Sequence, residues 1–339
     1  MNKLLKIAFV ATALVALGAS AQTKKIEAAG SYKSKTVEVG AFRKITVNGN
    51  IRVNYTPNDA KASIKFVAPQ NIVDLVEIKV KDANLTIGYK DGYSVEMKND
   101  SVVVDMSAPI VSEMALNGSG DIRMKGKVKT SNFTSALNGS GDMVFGDIDV
   151  EVLSVTLNGS GDVNIGNVKS SNCDMSLNGS GDVNAKSVAV AAFNLSLNGS
   201  GDMNVWKVTT TNSILSLNGS GDMKVDGCKC AALVANLNGS GDMDVDKIDA
   251  TNLTADLKGS GSMALSGGAV AGVYNVRNSG TIDAAELIAG IVTAKVNGSG
   301  EILCNASKSL NSEVKGSGVV SYKGDARNVN GKGKLRKIK

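Results

Sequence analysis

A chain of 339 residues without a single histidine lies outside His-dependent catalysis, so any acid–base chemistry would rest on carboxylates, Lys or Tyr. Its 38 glycines, three prolines and 4% aromatic residues suit a chain of short β-strands rather than helices. The net charge of +5 is small for this length and partly reflects Lys3 and Lys6 at one end and residues 332–339 at the other, so it singles out no partner, and nucleic acid is not expected.

Residues 1–21 read as an export signal. Lys3 and Lys6 precede an apolar run at 7–17 that is too short to span a bilayer, and Ala19-Ser20-Ala21 is a small-residue cleavage site. The mature chain is expected to begin at Gln22 and to work at the cell surface, on the outer membrane or in the periplasm. No Cys follows the apolar run, so no lipid anchor is expected, and no later stretch is apolar enough for a membrane helix.

Residues 36–112 form a β-rich unit. Alternating segments at 44–55 surround an Asn-Gly turn, another lies at 62–67, two more flank a turn at 81–84, and a fifth covers 101–106. This unit is expected to cover the first coil of a repetitive region that begins at residue 113, because a solenoid end exposes apolar surface and unpaired edges. Residues 45–53 also look like a shortened copy of the later repeat.

From 113 to 339 the chain is repetitive. Leu-Asn-Gly-Ser-Gly-Asp stands at 116, 137, 157, 177, 197, 217 and 237, and the leucines from Leu137 to Leu257 are each 20 residues apart. A fixed period of this length marks a solenoid. Apolar residues recur four and two before the motif Leu, at it, and six, eight and eleven after it; in one copy they are Phe193, Leu195, Leu197, Met203, Val205 and Val208. Period-two alternation on both sides of the motif predicts two strands with inward residues, a corner between them, and a third short face. The two glycines are expected to supply backbone angles that other residues adopt only with strain. Five residues before the Leu, Asn132, Val152, Asn172, Ala192, Asn212, Ala232 and Asn252 alternate polar and apolar, which points to duplication of a two-coil unit. The copies then decay through Leu257, Val276, Val296 and Val314 to a remnant at 330–335 that fits a cap. The expected fold is all-β: a parallel β-helix (solenoid) of about 20-residue coils with a small β-rich N-terminal unit.

Stacking in register aligns like residues. Asn117, Asn138, Asn158, Asn178, Asn198, Asn218 and Asn238 should form a hydrogen-bonded row that supports the corner. Asp121, Asp142, Asp162, Asp182, Asp202, Asp222 and Asp242 should form a second row, whose carboxylates repel by about 1 kcal/mol at ~4.8 Å spacing even in water. Turn amides would offset that repulsion. Calcium is the one cofactor the row could take, with Asp142, Asp162, Asp182, Asp202, Asp222 and Asp242 as its candidate ligands, and turn capping is the preferred reading. Cys173, Cys228 and Cys304 fall at inward positions of different coils. Cys173 and Cys304 would stand about 30 Å apart, and Cys228 and Cys230 are too close in sequence for good geometry, so buried free thiols are expected. Trp206 follows inward Val205, a position open to exposure, and of its two roles packing is expected over a sugar platform.

Together, the export signal, the segment Phe42-Arg-Lys-Ile-Thr-Val-Asn-Gly-Asn-Ile-Arg-Val53 and the tandem Asn-Gly-Ser-Gly-Asp copies resemble the auto-transporter adhesin, head GIN domain family (DUF2807) over roughly residues 38–339. The resemblance implies a right-handed parallel β-helix, secreted or surface-exposed, of the kind found in Bacteroidetes-type bacteria. It carries over no functional residues. A membrane β-barrel of the auto-transporter kind is not expected within this sequence. The leading expectation is a non-enzymatic, adhesin-like binding protein for glycan or protein ligands. A structural envelope spacer stands second. A carbohydrate-active β-helix enzyme stands third, since catalytic carboxylates on such folds break the repeat whereas these Asp constitute it.

Overall fold

The structure, a computed structural model, describes residues 23–58, 60–97 and 101–338. The expected export signal at 1–21 and the expected processing site before Gln22 lie outside the described residues. Every regular element among them is a β-strand, and the coils stack into a β-solenoid of about 11 turns.

One coil shows how the sequence makes the fold. Residues 192–209 form three strands, Ala192–Gly199, Asp202–Val205 and Val208–Thr209. Phe193, Leu195, Leu197, Met203, Val205 and Val208 all point inward and are at most 2% exposed. Each strand pairs in parallel with its equivalent 20 residues on, so Leu197 lies on Leu177 and under Leu217. The same inward rows continue from Phe42 to Val320 as one apolar core. Burial of these rows is the main force holding the coils together, at about 25 cal/mol per Å² of apolar surface.

The corner depends on its glycines, the first for backbone angle and close approach together, the second for close approach alone. The first glycine of each motif has a positive φ, +149° at Gly199, that side chains rarely adopt. The second, Gly201, is not among the positive-φ residues. A Cβ there would run into the carbonyl oxygen of Gly181 in the coil below, so this glycine is required by space rather than by backbone angle. The carbonyl of Gly179 accepts from the amides of both Ser200 (3.0 Å) and Gly201 (3.2 Å), and the same forked bond recurs from coil to coil. Where the motif decays to Arg-Asn-Ser-Gly, Asn278 takes the place of the first glycine at φ +83°. Asn is the residue that tolerates this region best after Gly.

The N-terminal coils stack out of sequence order. Lys44–Asn48 and Ile51–Pro57 pair in parallel with Glu113–Gly118 and Asp121–Met124 on one side. On the other side they pair with Asn84–Tyr89 and Val102–Ala108. Residues 44–57 are therefore a coil of the solenoid, held between residues that come later in the chain. Below that level the pairing is mixed: Lys24–Glu27 pairs in parallel with Tyr93–Glu96, whereas Val76–Lys81 and Ser63–Pro69 pair antiparallel to the lowest coil and Tyr32–Val37 antiparallel to Ser63–Pro69. At the other end, Asn328–Lys332 and Leu335–Lys337 pair with Glu301–Lys315 and Val319–Lys323.

Side-chain size is traded between neighbouring coils. Tyr274 is fully buried in a row with Ala235, Ala255 and Ala294. Its ring leaves no room for a side chain at Gly272. Its hydroxyl is buried without a hydrogen-bond partner, which costs about 1–3 kcal/mol. Tyr55, equally buried, donates to the carbonyl of Pro109 at 2.7 Å. Tyr274→Phe should therefore raise the urea midpoint by an amount equivalent to about 1 kcal/mol, while Tyr55→Phe should lower it by a similar amount. Loss of stability in Tyr274→Phe would show that its hydroxyl has a partner. All four cysteines are free and buried; the Cys228 thiol donates a hydrogen bond to Cys230 Sγ at 3.8 Å, and the two form no disulfide.

Candidate functional site: the outer rows of the solenoid

The Asn row assembles as a ladder. Asn117 Nδ2 donates to Asn48 Oδ1 at 3.0 Å, and Asn138, Asn158, Asn178, Asn198 and Asn218 each donate to the one below at 2.8–3.0 Å. Asn48, from the short copy near the N-terminus, thus starts the row. The alternating positions Asn132, Val152, Asn172, Ala192, Asn212, Ala232 and Asn252 also stack directly on one another.

The Asp row is built differently. Oδ1 of Asp142 accepts the backbone amide of Asp162 at 3.1 Å. Asp162, Asp182, Asp202 and Asp222 accept from the next Asp in the same way at 3.1–3.3 Å. Asp242 ends the row by accepting from Ser262 Oγ at 2.7 Å, and Arg52 pairs with Asp121 at 2.9 Å at the other end. The amide that satisfies each carboxylate comes from the coil above rather than from the same turn. Burial pushes the carboxyl of Asp182 above the usual range; the Asp202 amide opposes this, and the neighbouring carboxylates Asp162 and Asp202 add to it. Among the described residues, no three His, Cys, Asp or Glu side chains come together closely enough to hold a metal ion. Adding EDTA to the purified protein should leave its melting temperature unchanged, as expected for carboxylates satisfied by amides. A drop of several degrees would instead assign Asp142 to Asp242 to calcium.

Trp206, the residue just after the strand that ends at inward Val205, stands on the outside at 54% exposure.

Sequence reasoning missed a second change along the solenoid. The residues one before and one after the motif Leu face outward. They are neutral up to Asn236 and Asn238. Beyond that point one stacked row runs Lys258, Arg277, Asn297, Lys315 and the other Asp256, Asn275, Lys295, Glu313. Three concavities lie over these rows. The first two share Lys295 and Glu313, and the second and third share Asn275 and Arg277, so they join into one groove. The signal was present in the decay of the motif: Lys258, Arg277 and Lys315 each replace the ladder Asn. Their separation in sequence hid that they share one row.

These features define the class of protein, a parallel β-solenoid whose outer faces carry repeated amides, hydroxyls and carboxylates. The chain belongs to the family described as "Putative auto-transporter adhesin, head GIN domain" (DUF2807), which matches residues 41–216 and 206–326. That description names an adhesin and no enzymatic activity. The chain is similar to a solved "putative adhesin" from Bacteroides fragilis at 18% identity, covering 92% of this chain and 100% of that one, with a TM-score of 0.30. A "putative adhesin" from Parabacteroides distasonis is 22% identical over 93% of this chain and 100% of its own, with a TM-score of 0.31. A "putative lipid binding protein" from the same organism is 17% identical over the same shares, with a TM-score of 0.36. No curated protein matches the chain. Among the described residues, no helix is long and apolar enough to cross a membrane.

Proposed function

We propose that this is an exported, non-enzymatic binding protein of the cell surface, outer membrane or periplasm, adhesin-like in role, that holds an extended glycan or protein ligand along its outer face. The observation that carries this reading is the uninterrupted outward repeat of hydrogen-bonding groups, the Asn ladder from Asn48 to Asn218 and the Asp row beside it. Such a surface presents the same donor and acceptor set every ~4.8 Å, which suits a ligand that is itself a repeating chain. Family membership supports a binding role. The absence of His and the regularity of the carboxylates speak against catalysis.

The purified mature protein should retain at least one extended glycan or matrix protein on an array, with and without calcium. Intact mass of protein recovered from the producing cell should correspond to a chain starting at Gln22. A blank array together with a cell-envelope defect on gene deletion would favour the structural-spacer reading.

A further inference from the structure

The geometry points to the C-terminal groove as a binding site for an acidic polysaccharide, an inference that rests on the binding role proposed for the whole outer face and gives it a place and a ligand class. The groove carries five cations, Lys258, Arg277, Lys295, Lys315 and Lys332, against two carboxylates, Asp256 and Glu313, a surplus of three positive charges. Both carboxylates are engaged. Asp256 accepts from Asn275 Nδ2 at 2.7 Å. Glu313 pairs with Lys315 at 3.1 Å, and that contact, with Lys295 and Lys332 nearby, holds its carboxyl below the usual range. Lys258, Arg277 and Lys295 form no ion pair among the described residues. They occupy three consecutive coils, one cation per coil.

That spacing decides the ligand class. Lys258 and Arg277 stack directly, and Lys295 lies one coil further on in the adjacent outward row, so the unpaired cations advance one coil of ~4.8 Å at a time in a zigzag. That advance is close to the length of one sugar unit, and a polysaccharide with one carboxylate or sulfate per sugar would meet a cation at each coil, on alternating sides. Thr293, Asn275 and Asn311 line the same groove and suit the intervening hydroxyls. Nucleic acid fits less well. A duplex carries one charge per ~1.7 Å and would meet Asp256 and Glu313 as repulsion, while single strands rely on aromatic stacking, and none of the lining residues is aromatic. The groove spans five coil steps, about 24 Å, long enough to hold several sugars at once.

The test uses the full mature chain on immobilised polygalacturonate, with fully methyl-esterified polygalacturonate as the neutral control and a DNA duplex as competitor. Binding is expected to the acidic polymer only, to weaken as salt rises, and to fall about tenfold in Arg277→Ala/Lys295→Ala. Lys186→Ala/Lys207→Ala removes the same charge from another exposed face and should bind as the parent does. Circular dichroism melts of both variants check that the solenoid is intact. Equal loss in both pairs, undiminished binding in Arg277→Ala/Lys295→Ala, or tighter binding to DNA through the same residues would each overturn the inference. If the acidic polymers fail while neutral glycans or matrix proteins bind, the groove assignment falls and the general binding role stands; if nothing binds, both fall.

Discussion

Gly201→Ala should destabilise the solenoid by about 3–5 kcal/mol, among the largest effects a single methyl group can have. Nothing about the backbone angle of Gly201 predicts this, since its φ lies outside the positive region. The added Cβ would strike the carbonyl oxygen of Gly181 and the backbone carbons around it. Backbone in a stacked coil has no rotamer with which to give way, so the two coils must separate locally. That separation also weakens the forked bond from Ser200 and Gly201 to Gly179. Gly126→Ala is the matched control. Gly126 has φ +83° and open space around its missing side chain, so it should cost only the angular strain of about 1–2 kcal/mol. Because a solenoid is held by nearest-neighbour contacts, Gly201→Ala should also broaden or split the unfolding transition, which thermal melts followed by circular dichroism would show. Equal stability of the two variants would remove the close-approach argument.

The second large effect is alkaline. Burial pushes the Tyr55 phenol from its ordinary 10.0 up to about 12 and the Cys304 thiol from 9.0 up to about 12. Cys173, Tyr89 and Tyr274 are raised too, again chiefly by burial. Each of these groups is held in its neutral form by the fold, so its contribution is fully present below the unfolded-state value. It is lost as pH climbs through the window between the unfolded and folded values, here from about 9 to about 12. With no histidine in the chain, no side chain with an ordinary pKa near 6.5 titrates across neutrality. Stability should therefore be nearly flat from pH 6 to 8.5 and fall by about 5 kcal/mol by pH 11. Urea midpoints across this range measure it, and Cys304→Ala should flatten part of the fall. A midpoint that stays constant up to pH 11 would show that these groups are solvated.

Much of the fold was legible because its physics is local and periodic. Leucines 20 apart and alternation around them placed Phe193, Leu195, Leu197, Met203, Val205 and Val208 inside, and the structure buries all six. The cysteines followed from the same register. What escaped was non-local. The position of residues 44–57 between 84–108 and 113–124 depends on which strand edges are free when stacking begins, and no period encodes that. Both glycines of the motif looked like turn glycines because sequence shows a missing side chain but not the backbone of the next coil that excludes it. The exposure of Trp206 was readable from its place just after inward Val205. The Asp row was located, yet its partner, an amide from the coil above, belongs to stacking geometry rather than to the turn. The basic groove was written as single departures from the motif and became a surface only once coils of 18–20 residues were laid on each other.

The Asn ladder has a direction. Every side-chain amide from Asn117 to Asn218 donates toward the N-terminal end and leaves its oxygen facing the C-terminal end. Aligned amides add their dipoles, as they do along a helix, with the negative pole where the oxygens point. Here that pole faces Asn238 and then Lys258, the first cation to replace the ladder Asn. The row thus works electrically as a side-chain counterpart of a helix, terminated by positive charge at its negative end. Reversing that charge with Lys258→Glu would set two negative ends against each other.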